Sequence, residues 1–487
     1  MEKNAHVKNV EDYCVKATLN VSGIEIPHVL CKIFLPERIT DKPSIIFKPT
    51  KEQYSKITRS YFGSFEAQLI GYDKKVNVSI SSPNVYFSDM ETKHWGPDFS
   101  ESTLKGEPQH LKVVKYLGTE HDVKNTQFTF WLTPNSMLNP VTTHSFHYTG
   151  DTECKRLHRL IFPLTDDYSL TFDIHYKNKK INNEDSLSWS YLVCISEIGI
   201  SAMDVDSVIN TILPAIDKFL LIASFGSRTR TACVGWSAYD HSTTTTYYRG
   251  DYSFPTGESE PSFDQGLVWK KNFDDYLKIC FPAFQRFFDQ EALLKAIMSV
   301  VPGRKKVIEE SFLSIFAGLE SLILAYRKEY NLEYVIPAKQ EWKTVKKSIS
   351  DNISQISEQQ LSRKQKNYMK GKLNELNRIS LRKAYKKFCK HYDIDLSDLW
   401  PLFGDEKPIG LSEIRNKLIH GETFTDDLSN ALSIANENLK FMLERVLIKI
   451  LGYPVEKTEV SPVFLKKHSV ALKEMKSAQD ILFQNAF

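Results

Sequence analysis

The sequence predicts an α+β chain, with an antiparallel β-rich region of sandwich or barrel type over residues 1–265 and an all-α helical bundle over 266–487. Three observations predict it. Up to about Ile200, short runs alternate apolar and polar residues between Gly, Pro, Asn and Asp, as half-buried strands joined by turns do. Beyond Gln265 the apolar period lengthens to three and four residues and glycine becomes sparse. The length of 487 residues exceeds one ordinary core, while 41% hydrophobic and 25% charged residues suit globular folding.

In order along the chain, the strand-like runs are CVKATLNV, HVLCKIFL, KVNVSISS, TQFTFWLT, YSLTFDIHY and WSYLVCISEI. They are rich in Val, Ile, Phe, Tyr and Thr, which pack well on a pleated surface. Two polar stretches, Asp89 to Gln109 and Gly250 to Gln265, read as long loops. A helix is expected from Asp206 to Ser224, where Val208, Ile212, Ile216 and Leu220 recur at helical spacing, and a polar, Thr-rich strand-like stretch follows it.

The first clear helix of the second half begins after Pro302 and Gly303, with Ile308, Phe312, Ile315, Leu319, Leu322 and Tyr326 along one stripe. Further helices are expected over Trp342–Gln355, Gln359–Leu376, Ser380–Tyr392, Leu411–His420, Asp426–Leu451 and Phe464–Leu482.

Composition excludes several classes. The N-terminus is polar, so no secretory signal or N-terminal anchor is expected. The most apolar run, Val208 to Phe225, contains Pro214, Asp217 and Lys218, which argues against a membrane span. Seven dispersed cysteines without a CxxC pair suit reduced thiols in a cytoplasmic protein. No P-loop, GxGxxG or GxSxG motif occurs, so no cofactor is expected. His144 and His147 lie three apart on a strand and face opposite sides, so no metal site is expected there.

The net charge of +3 hides opposing blocks. Lys339 to Lys390 holds fifteen Lys and Arg against four acidic residues, a block of +11 that leaves −8 for the rest. Such a block suits a phosphate backbone, and equally a solvated helical face.

The chemistry concentrates in GLSEIRNKLIHGE, Gly410 to Glu422. Leu411, Ile414 and Leu418 form the core-facing side of a helix, and Asn416 and His420 share the other side. Gly421 can adopt the left-handed conformation that ends a helix, which puts His420 in the last turn, where the helix dipole favours an imidazolium. Arg415 lies at the edge of the apolar arc and needs a carboxylate, a phosphate or both.

These groups suit RNA cleavage by the ribose 2′-hydroxyl: histidine moves the proton, arginine holds the phosphate, and asparagine positions substrate or the histidine. Arg415 and His420 project about 140° apart at ~100° per residue. One copy is therefore poorly placed to supply a full acid and base, and two copies facing each other would converge.

The run RNKLIH, Arg415 to His420, resembles the RN-xxx-H signature of HEPN domains. The strand-rich half followed by a helical half resembles the ApeA-type abortive phage-defence proteins. The resemblance implies a HEPN-type bundle, a homodimer through the helical domain, and a composite endoribonuclease site that cleaves RNA, with tRNA one candidate, without metal. It also implies a β-rich half that senses or regulates, and a phage-derived trigger. In the toxin class whose histidine is followed two residues later by a modified tyrosine, that position corresponds here to Glu422, so that mode of regulation is not carried over.

For the carboxylate beside Arg415, the sequence favours Glu320 in FAGLESLIL, an acid among apolar positions and so expected to be buried. It also resembles the LE-containing helix of the family. Glu413 projects away from Arg415. The alternative to a nuclease is a non-catalytic scaffold or binding module, for which an exposed, unpaired His420 would speak.

Overall fold

The structure, a computed structural model, describes residues 12–36, 41–60, 66–73, 76–94, 100–118, 125–146, 152–165, 167–180, 186–250, 266–301, 306–404, 409–421, 424 and 426–486. The chain divides into two compact units, Met1–Gln265 and Gly266–Phe487. The first is an antiparallel barrel and sheet; the second is helical.

In the first unit, β1 (Tyr13–Val21), β2 (Ile24–Phe34), β3 (Ser44–Lys48), β4 (Glu66–Asp73), β5 (Val78–His94) and β6 (Ser100–Pro108) pair around a ring. The order β5-β4-β1-β2-β3-β6 closes through a β5–β6 ladder, giving a six-stranded antiparallel barrel. Closure removes sheet edges that would otherwise stay unpaired. Alternate residues fill its interior, among them Val15, Leu19, Cys31, Phe47, Leu69 and Ile80, and α1 (Lys51–Ser60) adds Ile57 to that core. Gly106 makes room for it, since a Cβ there would lie 2.7 Å from Phe47 and Val85 side-chain atoms.

The expected loop Asp89–Gln109 is instead largely strand: β5 runs to His94 and returns as β6, with Glu91 opposite Thr103 and His94 opposite Ser100. Most of its side chains are polar, and among the described ones Leu104 turns inward, so the ladder leaves little apolar alternation to read. The other expected loop, Gly250–Gln265, lies beyond Gly250 outside the described residues, as does His147.

From β5 the sheet continues through β7 (His110–Tyr116), and β8 (Thr126–Leu132) lies further across it. β9 (Val141–Phe146) and β10 (Thr152–His158) form a separate hairpin. β11 (Ile161–Pro163), β12 (Ser169–Lys180), β13 (Ser186–Ile198), β14 (Cys233–Tyr239) and β15 (Thr243–Arg249) complete the order β7-β15-β14-β8-β13-β12-β11.

The helix expected at Asp206 spans α2 (Val205–Ser207), a π-helical turn (Val208–Ile212) and α3 (Leu213–Ser227). Pro214 lacks the N–H that would regularise this turn. The helix is long and apolar enough to cross a membrane, yet Phe219 packs on Phe162 and Phe172 at 4.6 and 5.6 Å, and Asp217 takes both Nη atoms of Arg249 at 3.0 Å. Those contacts are those of a core helix.

The second unit contains α4 (Phe273–Arg286), α5 (Gln290–Val300), α6 (Ile308–Glu329), α7 (Lys339–Gln355), α8 (Arg363–Leu376), α9 (Leu381–His391), α10 (Leu411–Ile419), α11 (Asp426–Ile450), α12 (Pro462–His468) and α13 (Val470–Ala486). The α6 stripe from Phe312 to Tyr326 is buried, and α6 packs on α5, α9, α10 and α11. The single helix expected over Phe464–Leu482 is two. Ser469 breaks it with an extended backbone, and its hydroxyl accepts the N–H of Leu472 at 3.1 Å, capping α13.

The basic block forms α7, α8 and α9. α7 and α8 make an antiparallel arm that buries Ile353 and Leu373 and leaves most other residues exposed. A clasp closes its base. The N–H groups of Val335 and Ile379 donate to Asn377 and Glu333 carbonyls at 2.7 and 3.1 Å, and the buried Asn377 side chain exchanges hydrogen bonds with the Ile336 backbone.

Candidate active site

The short helix α10 is seated before it is decorated. Leu411 and Ile414 are fully buried, the N–H groups of Leu411 and Ser412 donate to the carbonyls of Pro401 and Leu402 at 3.0 and 2.8 Å, and Trp400 Nε1 donates to Ile409 O at 2.7 Å. These bonds satisfy donors that a helix start otherwise leaves open. The segment that supplies them is pinned in turn by Arg445 of α11, which grips Asp398. The other end stops as expected, with Gly421 at φ +81° and its N–H on Leu418 O at 3.2 Å.

Arg415 and Glu320 are brought together. Arg415 Nη2 lies 3.3 Å from Glu320 Oε2, their side chains 31% and 28% exposed. Nη1 donates to Asn416 Oδ1 at 3.2 Å, and the guanidinium carbon stands 5.5 Å from the centroid of the Phe316 ring. Glu320 is thus half-buried and not the buried acid expected. It sits where α6 meets α10, so the pair keeps an open side to solvent. Glu413 points elsewhere and accepts from Gly404 N at 3.4 Å.

Asn416 spends its carbonyl on Arg415, so of the two roles considered for it, ordering the histidine has no bond behind it here. His420 is exposed at the helix end, its N–H on Asn416 O at 3.1 Å, and its ring has no hydrogen-bond partner among the described residues.

Phe316 is the site residue that sequence reasoning passed over; its position four before Glu320, on the same helix face, was the signal. Tyr326, Cys389 and Tyr392, elsewhere in the unit, are packing groups. Burial pushes the Tyr392 hydroxyl up to about 12 and raises Tyr326, and burial likewise lifts the Cys389 thiol to about 11. No cluster of metal-ligating side chains occurs among the described residues.

The family described as Apea-like HEPN matches residues 313–457, a span that includes Glu320, Arg415, Asn416 and His420. The helical unit contains an ApeA-type HEPN domain. HEPN domains are in general ribonucleases, which supports a nuclease and defence-type role for this domain at the family level. No curated protein and no solved structure matches the chain. The HEPN domain so defined runs from inside α6 through α11 and takes in the basic arm.

Proposed function

We propose that the protein is a metal-independent endoribonuclease of anti-phage defence, a homodimer through its HEPN domain, with tRNA a candidate substrate and the basic arm gathering RNA. The observation that carries this reading is Arg415: a guanidinium oriented by Glu320 and Phe316, with donors left for a phosphate, on the same short helix as an exposed histidine.

In the reaction, the 2′-hydroxyl loses its proton to a base and its oxygen attacks the adjacent phosphorus. The 5′-oxygen leaves and takes up a proton, giving a 2′,3′-cyclic phosphate and a 5′-hydroxyl end. His420 moves protons and Arg415 offsets the charge that grows on the phosphate oxygens. A single α10 supplies one such histidine, so the second proton carrier comes from another copy.

The β-rich unit is assigned to sensing a phage-derived trigger, and the protein acts in the cytoplasm. The test is His420→Ala and Arg415→Ala, made separately and assayed on total RNA and tRNA with chelator present. Both should lose cleavage; if both cleave like the parent, the site assignment fails.

One observation favours a second reading. His420 is exposed and without a side-chain partner among the described residues, which is what a non-catalytic HEPN scaffold also shows. RNA binding without cleavage, together with phage protection unaffected by His420→Ala, would establish the scaffold instead.

A further inference from the structure

An open cleft of about 540 Å³ lies in the helical unit, lined by α5, by the second half of α6, and by the clasp at the base of the basic arm. Its α6 residues include Leu324, Arg327 and Lys328. At ~100° per residue these three and Glu320 fall within one arc of about 100° on the helix. The cleft therefore shares part of a helix face with the Arg415–Glu320 pair, and its α6 lining begins at Ser321, the residue after Glu320. Its far wall is Tyr334 and Arg378, which bridge to each other across the clasp.

The lining is amphipathic in a particular way. Leu324 and Tyr334 are 46% and 47% exposed, more than an apolar core or a polar surface would require of them. Beside them, Lys328 and Arg378 are exposed and make no ion pair among the described residues. Arg327 donates Nη2 to Glu333 O at 3.2 Å, while its buried Nε has no partner among the described residues. The acids are largely occupied: Glu291 pairs with Lys295 at 2.6 Å, and Asp289 accepts the N–H of Ala292 at 3.0 Å as a helix cap. Glu333 is exposed.

We infer that this cleft is a subsite for a single strand of RNA, with phosphates on Arg327, Lys328 and Arg378 and an unstacked base against Tyr334, feeding the strand from the basic arm to Arg415. The inference rests on the ribonuclease reading for its direction, but not for the contact itself. An exposed ring beside free cations suits a base and its phosphate, since every base has a π face and the contact is sequence-tolerant. Duplex RNA keeps its bases stacked and cannot use Tyr334 in this way.

The experiment measures binding of fluorescent single-stranded and duplex oligoribonucleotides to the full chain carrying His420→Ala, so that cleavage does not intervene. Lys328→Ala with Arg378→Ala should weaken single-strand binding about tenfold and reduce the slope of log affinity against log salt by about 1.4, the loss of two phosphate contacts. Tyr334→Ala should cost about tenfold at unchanged salt slope, and Tyr334→Phe should restore it. A far-ultraviolet spectrum and melting curve like the parent's identify variants that fold.

Unaltered single-strand binding in the folded double variant overturns the subsite, as does equal loss on duplex RNA. So does a shift in self-association without any change in RNA binding, which would assign the cleft to a second copy of the chain. The two readings fail separately. Binding that depends on the cleft in a protein that never cleaves RNA sinks the nuclease and keeps the subsite. Cleavage that depends on His420 but ignores the cleft does the reverse.

Discussion

Two arginines of the helical unit hold carboxylates in different ways. Arg445 is 2% exposed and uses each of its side-chain nitrogens: Nη1 and Nη2 reach Asp398 at 2.5 and 2.9 Å, Nη1 also reaches Asp395 O at 3.0 Å, and Nε donates to Val460 O at 3.0 Å. Arg415 is 31% exposed, with one contact of 3.3 Å to Glu320 and one of 3.2 Å to its neighbour Asn416. The first arginine turns its donors inward and ties α11 to the segment that seats α10. The second keeps part of its fork open. Number of remaining donors, more than charge or partner type, separates an arginine that holds the fold from one available to a phosphate.

The largest effect expected from this contrast is on stability. Arg445→Ala leaves Asp398 and two carbonyls without their donor, and should destabilise the helical unit by about 3 kcal/mol, the lower end for a broken buried pair because Asp398 keeps 26% exposure. Urea unfolding of the full chain measures it. A loss below about 1 kcal/mol would mean that the clamp does not hold the α10 seat, and the contrast with Arg415 would collapse.

Arg415→Ala should show the opposite profile: unfolding within about 0.5 kcal/mol of the parent and cleavage reduced about a hundredfold, the scale for losing one donor that faces developing charge. Time courses on RNA with chelator present, alongside urea curves, supply both numbers. A stability loss comparable to that of Arg445→Ala would make Arg415 a second structural clamp.

How much of this contrast was legible beforehand follows from the range of the interactions involved. The RNKLIH helix, its core side and its Gly421 stop are local, so periodicity and a turn residue suffice to read them. Glu320 was reachable as an acid in an apolar helix, but its degree of burial depends on how α10 crosses α6, ninety-five residues away in sequence. The same limit explains the barrel. Single strands could be read from alternation, whereas closure through β5 and β6 lies in a ladder of mostly polar residues that no alternation marks. Arg378 stood inside the counted basic block without being distinguished in it, because its place opposite Tyr334 is made by the clasp. Periodicity alone does not mark out α4, because Pro282 inside it interrupts the pattern.

Asp240 of the β-rich unit sharpens the comparison from the carboxylate side. Only 4% exposed, it accepts from Ser201, Ala202, Ser242 and Thr243, with distances from 2.8 to 3.3 Å, and so is more deeply buried and more fully bonded than Glu320. Burial acts to raise its pKa, but the hydrogen bonds from Ser242, Thr243 and Ala202 outweigh it and hold the carboxyl below its ordinary value. The unfolded chain therefore binds this proton more readily than the folded one. The stability it contributes is present above the ordinary carboxylate range and is lost as pH falls from there through the lowered folded value. Asp240→Asn should destabilise the β-rich unit by about 1.5–3 kcal/mol at neutral pH and by less in acid. Melting curves across that range check it; a deficit that stays constant with pH would remove the charge from the account.

The smallest expected change, Glu320→Gln, tests whether the open pair is arranged for use. Glutamine keeps the shape and one acceptor oxygen while removing the charge, so Arg415 retains a contact but is oriented less firmly. Glu320 is a positioning residue, and its loss should lower kcat about tenfold, or 1.4 kcal/mol of barrier. The same change unmasks positive charge beside the place assigned to the phosphate, so KM for RNA should stay level or fall. A purely structural acid would move stability and leave the ratio of these constants alone. A raised KM at constant kcat would instead mean that Glu320 serves binding, and full activity with normal stability would remove it from the site.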